Sequence, residues 1–151
     1  MLAALEAVGA RRVALAADLA GAREAVAAHL REAGLEVAMY EDVAPDRSVS
    51  RNLDATVTGC IAAVAATGSI LTGGASGRAG ALIAPTHVCV VEEGRILDGL
   101  LATLRLAATQ GASGMALQSG PSRTADIEKT LILGMHGPKH VHCVVLDGGL
   151  G

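Results

Sequence analysis

An α/β fold built on a mainly parallel sheet with helices on both faces is the architecture this sequence predicts. Three observations predict it. Short apolar runs alternate with helical patterns along the chain, as in βαβ units. The apolar runs are bounded by acids and glycines rather than interleaved with polar residues, the look of strands covered on both faces. The 151 residues suffice for one domain, 1–151, whose core needs no disulfide or metal staple.

The elements follow in order. Residues 12–17 (RVALAA) read as a short buried strand. Residues 21–33 read as a helix with Ala22, Val26, Leu30 and Ala33 on one face and Gly34 closing its end. Leu35, Val37 and Met39 alternate with Glu36, Ala38 and Tyr40, the period of a strand. Residues 41–52 are polar, contain Pro45 and read as a loop. The stretch 53–72 fits either a short helix between strands or two strands joined at Thr67-Gly68. GGASGRAG (73–80) is a glycine-rich loop that matches neither GxGxxG nor GxxxxGK[ST]. Residues 87–91 form a strand, and 96–110 a helix with Leu97, Leu100, Leu101, Leu104 and Ala108 on one side. A strand at 114–117, a helix from about Thr124 to Leu133 and a strand at 141–146 complete the chain. The segments CVVEEG (89–94) and CVVLDG (143–148) resemble each other, which we read as two strands suited to one environment.

Composition removes several functions. The balance of 12 Lys and Arg against 15 Asp and Glu argues against a general nucleic-acid binder. One Tyr and no Phe or Trp leave no platform for stacking on bases. No run approaches about 20 uninterrupted apolar residues, so no membrane span is expected. The amino-terminal segment lacks the charge order of a signal peptide, and a cytoplasmic protein is expected. Cys60, Cys89 and Cys143 lie far apart in sequence without a CxxC pair. They read as separate core thiols, and no cofactor or metal is expected on the chain itself.

Two segments carry candidate chemistry. In SGPSRTADIE (119–128) the chain leaves a strand, turns at Gly-Pro and is expected to open a helix capped by Ser122 or Thr124. Asp126 and Glu128 suit the first turn of such a helix. The free N–H groups there, with Arg123, would hold a phosphate or carboxylate; the plainer reading is a well-capped helix. In GMHGPK (134–139), His136 between two glycines would act as acid, base or donor, or simply hold the loop. His140 and His142 share a strand face but lack a third ligand, and His87 reads as structural. Thr67-Gly68-Ser69 offers two hydroxyls beside a glycine. No GxSxG elbow is present.

Taken in order and spacing, ATGSI (66–70), PTHVCVV (85–91), SGPSRTADIE (119–128) and LGMHGP (133–138) resemble the LUD domain of the lactate-utilization protein C type. The resemblance covers roughly residues 35–148. It implies an α/β fold similar to the sugar-phosphate isomerase and CoA-transferase group. It also implies a part in oxidising L-lactate to pyruvate beside iron–sulfur proteins, which would hold the clusters. The implied ligand site unites Ser122, Arg123, Thr124, Asp126, Glu128, His136 and Gly137 with Thr67, Gly68 and Ser69 around a small anion. One departure stands out: family members commonly read AETGT where this chain has Ala65-Ala66-Thr67-Gly68-Ser69, so Ala66 replaces the acid, and Ile61 sits near an upstream Asp. The resemblance points first to an accessory, regulatory or anion-binding subunit. A stand-alone CoA-transferase-like or sugar-phosphate-type enzyme and a non-catalytic scaffold are the alternatives; a homodimer is plausible for such a domain.

Overall fold

A computed structural model of the chain describes residues 1–73, 80–112, 114–121, 123–125, 131–133 and 137–147. The first half holds α1 (Leu2–Ala7), β1 (Arg12–Leu15), a 3-10 segment (Ala17–Ala22), α2 (Arg23–Glu32) and β2 (Glu36–Met39). Then come α3 (Tyr40–Val43), α4 (Arg47–Ser50), β3 (Ala55–Thr58), β4 (Ala62–Val64) and β5 (Ser69–Thr72). The second half holds β6 (Thr86–Glu92), β7 (Ile96–Leu97), α5 (Leu100–Thr109), β8 (Ala116–Gln118), β9 (Arg123–Ala125), β10 (Leu131–Leu133) and β11 (His140–Leu146).

Five strands form a sheet in the order β11-β6-β3-β1-β2, and all four neighbouring pairs are parallel. This is the expected mainly parallel α/β fold. The strand period of two sorts side chains to opposite faces. On one face, Val13 and Leu15 of β1, Val57 of β3 and Val88 of β6 pack with Leu5 of α1 and Leu30 of α2. On the other, Ala14 and Ala16 meet Tyr40 and Val43 of α3. Farther along that second face, Cys89 and Val91 of β6 pack with Ala63 and Ile70, which belong to a second sheet of order β7-β4-β5-β8. Its β4–β5 and β5–β8 pairs are antiparallel. Ala107 of α5 packs against Leu71 and Ile61. Gly34 ends α2 at φ 85°, with its N–H donating to the Arg31 carbonyl at 2.9 Å, the positive-φ closure that glycine favours.

Several expectations are corrected. The helix expected from about Thr124 to Leu133 is replaced at both ends by strands: β9 and β10 pair antiparallel, Thr124 opposite Ile132. Thr124 and Ile132, which face each other there, are β-branched and favour extended backbone over a helix. The helix expected over 96–110 is shorter, because Ile96 and Leu97 join β4 as β7 and Gly99 precedes the helix in extended conformation. Its leucine face is the outer one: Leu100, Leu101 and Leu104 are 42–63% exposed, while Thr103 and Ala107 are fully buried. The loop expected at 41–52 contains the short helices α3 and α4. In 53–72 the two-strand alternative holds for β4 and β5, with Gly68 at φ 64° in their turn. The cysteines do not behave as three separate buried thiols: Cys89 is buried, Cys60 half-buried and Cys143 exposed, and their side chains converge. Among the described residues no helix is long and apolar enough to cross a membrane.

Gly59, just past β3, fixes where the 3-10 segment lies. Its N–H donates to the Asp18 carboxylate at 2.9 Å, and a Cβ there would overlap the Asp18 carbonyl oxygen. Gly59→Ala should therefore force the two backbones apart and cost about 1–3 kcal/mol of stability. Urea unfolding of the variant beside the parent chain measures it; an unchanged midpoint would mean the segment gives way freely.

Candidate functional site

In open parallel sheets, ligands collect outside the carboxyl ends of the strands, where neighbouring connections leave in opposite directions. Here β1 occupies that position, with β2 on one side and β3 on the other. Just past the carboxyl ends of β1 and β3, Asp18 is held on the Gly59 N–H as described. Beside it Arg23 grips Glu41 through two contacts of 2.6 Å and donates to the Leu15 carbonyl at 3.0 Å. The hydrogen bond from Arg23 holds the Glu41 carboxyl below its ordinary range, and the same bond raises the guanidinium. Asp18, Arg23 and Glu41 were not anticipated from the sequence.

Two chains of polar side chains tie the second sheet to the first and to the 119–125 segment. In the first, the buried His87 ring stands between Thr58 Oγ1, 2.8 Å from Nε2, and Gln118 Oε1, 2.7 Å from Nδ1. A neutral ring donates from one nitrogen and accepts at the other. With Gln118 Oε1 accepting from Nδ1–H, Nε2 takes the Thr58 hydroxyl proton. That hydroxyl also lies 2.7 Å from the Gly59 carbonyl, and its single proton serves one acceptor at a time. Protonation of the ring would turn Nε2 into a donor and free the hydroxyl for Gly59. His87 is thus the structural histidine expected, with both nitrogens occupied.

The second chain is made of hydroxyls. Thr67 Oγ1 lies 2.7 Å from Ser69 Oγ, which lies 2.6 Å from Ser119 Oγ. The β5–β8 register, Ile70 opposite Gln118, sets Ser69 beside Ser119. Ser69 is buried while Thr67 and Ser119 are exposed, so the chain runs from surface to interior and back. It joins Thr67 and Ser69 to Ser119 at the start of the SGPSR segment. Other expected members are placed differently. Ser122, Asp126, Glu128 and His136 lie outside the described residues. Arg123 and Thr124 lie on β9, so the helix N-terminus that was to present their anion-binding groups is replaced by a strand pair. Gly137 lies before Pro138 in the bend leading to β11, where the Lys139 N–H donates to the Pro85 carbonyl at 2.7 Å; no hydrogen bond joins it to the hydroxyl chain among the described residues.

Among the described residues no group of three or more His, Cys, Asp or Glu side chains is arranged to hold a metal. A cavity of about 460 Å³ lies between β1–β2 and α4, lined by Arg12, Glu36, Val37, Val49 and Leu53. Its ion pair Arg12–Glu36 is solvent-exposed, and none of the hydroxyl-chain residues lines it.

Burial pushes the His87 ring down to about 4, against the upward pull of the Gln118 hydrogen bond. An unfolded chain takes up that proton near 6.5. Between these values the unfolded state binds the proton and the folded state does not, so stability falls as pH drops from about 6.5 towards 4. The loss amounts to about 3 kcal/mol at most, and above pH 6.5 the contribution is constant. In His87→Gln this part of the pH dependence should vanish. Denaturant unfolding of both proteins at pH 7.5 and 5 measures the difference; parallel losses would show that the ring titrates normally in the fold.

The LUD domain family model matches residues 5–146. A protein named Lactate utilization protein C from Deinococcus radiodurans is 35% identical over 98 residues, 62% of this chain and 46% of that protein. Lactate utilization protein C 1 from Bacillus mycoides is 31% identical over 80 residues, 49% of this chain and 34% of its own length. The match therefore spans less than half the length of these relatives. A crystal structure of a DUF162 family protein from Deinococcus radiodurans superposes with a TM-score of 0.54 at 23% identity, over 95% of this chain and 92% of that one, which supports the fold. With the family model covering nearly the whole chain, this protein belongs to the LUD domain family.

Proposed function

We propose that this chain takes part in L-lactate utilization as an accessory subunit that binds a small carboxylate, acting beside partner proteins that carry iron–sulfur clusters and oxidise L-lactate to pyruvate. The hydroxyl chain Thr67–Ser69–Ser119 carries this reading. Such hydroxyls, each donor and acceptor, can turn towards a carboxylate without the large charge a polyphosphate would require. The names of the relatives support lactate as the context. Lactate oxidation releases two electrons, and in this reading the partners' clusters accept them while this chain holds or presents the acid. Ala66 stands at the exposed turn before Ser69, so this position offers no carboxylate for a covalent acyl intermediate; that weighs against a CoA-transferase.

Thermal unfolding with L-lactate, pyruvate, CoA and a sugar phosphate tests the binding half. At about 100 times its dissociation constant a ligand adds roughly 2.7 kcal/mol, raising the midpoint by roughly 5–10 °C. The expected result is a shift with lactate or pyruvate that Ser119→Ala, on the exposed end of the chain, reduces. Affinity capture from lactate-grown cells tests the partner half and should recover cluster-bearing proteins. A shift with CoA alone, turnover without partners, or unaltered lactate oxidation on deletion of the chain would overturn the assignment.

A further inference from the structure

The two similar segments of the sequence meet in space. β6 and β11 are adjacent and parallel, and their register sets Cys89 opposite Cys143, Val90 opposite Val144 and Val91 opposite Val145. Opposed residues of parallel neighbours project to the same face. Their strands lie about 4.8 Å apart, within the span of about 4.4–6.8 Å between Cα atoms that a disulfide bridges. Cys60, just past β3, joins them. Its Sγ lies 3.9 Å from the Val90 carbonyl, and Cys89 Sγ lies 3.9 Å from the same oxygen and 3.8 Å from the Gly59 carbonyl. Hydrogen bonds to Cys143 and Cys60 raise the buried Cys89 thiol, and the bond from Cys89 lowers the exposed Cys143 to about 7. One exposed thiol therefore has a buried thiol beside it on the neighbouring strand.

We propose that Cys143 and Cys89 form a redox-active dithiol in which a hydroperoxide oxidises Cys143 and Cys89 then closes a disulfide across β6 and β11. The Cys143 thiolate attacks the outer oxygen of the hydroperoxide, the O–O bond breaks, and Cys143 becomes a sulfenic acid as water or an alcohol leaves. The Cys89 sulfur displaces the hydroxyl, which leaves as water with the Cys89 proton. Two thiols lose two electrons and two protons to the peroxide, and a dithiol reductant reverses the step. Among the described residues no group of three or more ligands is arranged for a metal, so the pair is suited to thiol exchange. The pairing is independent of the lactate assignment.

Intact mass of the reduced protein after mild hydrogen peroxide tests it directly. The expected product is a monomer lighter by two hydrogens, whose proteolytic map contains one peptide pair linked through Cys89 and Cys143 and which dithiothreitol restores. Cys60→Ser should still close the bridge. In Cys89→Ala the sulfenic acid should persist on Cys143 and take up dimedone. Should that variant fail to fold, the parent protein still decides through alkylation. Its Cys143 should react with iodoacetamide about twice as fast at pH 9 as at pH 7, against roughly twenty-five-fold for a thiol near 8.5. A bridge between Cys60 and Cys89, oxidation that yields only intermolecular dimers, or an ordinary pH profile at Cys143 would overturn the proposal.

Discussion

The fold depends on a buried histidine. β6 is shared by two packing problems, since one of its faces closes the core beneath α1 and α2 and the other supports the second sheet. A polar ring with no solvent exposure on that strand is tolerated only if both nitrogens find partners, because a buried polar group left unpaired costs about 1–3 kcal/mol. Thr58 on β3 and Gln118 on β8 supply them. That requirement ties the end of β8 to the parallel sheet, and through the β5–β8 register it also places Ser69 beside Ser119. The polar bridge and the hydroxyl chain are consequences of one placement.

Around this bridge the chain packs with small side chains. With one Tyr and no Phe or Trp, no single residue anchors the core, so stability rests on many close contacts among Ala, Val and Leu. Positions such as Ala14, Ala55 and Ala107 have no exposed surface, and each lets a neighbouring element approach closely. Leu100, Leu101 and Leu104 lie on the outer face of α5 although the same composition would place them inside. The face of α5 turned inward carries the small Thr103 and Ala107, both without exposed surface, and Ala107 packs on Ile61 and Leu71.

The parallel strands were legible because runs such as VALA and VCVV have no alternative period, and the α2 end was legible because Gly34 has the conformation its position requires. His87 was legible as structural from its place at the start of an apolar run. The separate second sheet was not, since three-residue strands such as Ala62–Val64 are too short for periodicity to distinguish a hairpin from a helical turn. The 119–133 stretch misled because acids after a Ser or Thr suit a helix start, whereas Thr124 and Ile132 pair across two strands. α5 misled because a stripe of leucines has the same spacing whether it faces core or solvent. Of the site, the hydroxyls at Thr67 and Ser69 were visible in a local motif. Asp18, Gly59 and Ser119 became relevant only through long-range contacts, although an acid directly after the first strand was a signal that the rule for parallel sheets could have used. The meeting of the thiols was encoded in the likeness of CVVEEG and CVVLDG, which reads as an in-register strand pair once the sheet order is known.

Gly59 gathers several of these connections without a side chain of its own. Its amide holds Asp18, and its carbonyl faces both the Thr58 hydroxyl and the Cys89 sulfur. Histidine chemistry on one side and thiol chemistry on the other therefore share a single peptide unit. Scanning by alanine substitution is blind to such a junction, because any new side chain at Gly59 acts first by steric overlap and hides what the peptide group does. Replacing an amide with an ester by chemical ligation would separate the two roles: an ester in place of the Thr58–Gly59 amide removes the N–H that holds Asp18, weakens the Thr58 carbonyl and leaves the Gly59 carbonyl an amide acceptor, whereas one at the following peptide weakens that shared acceptor and removes the Cys60 N–H.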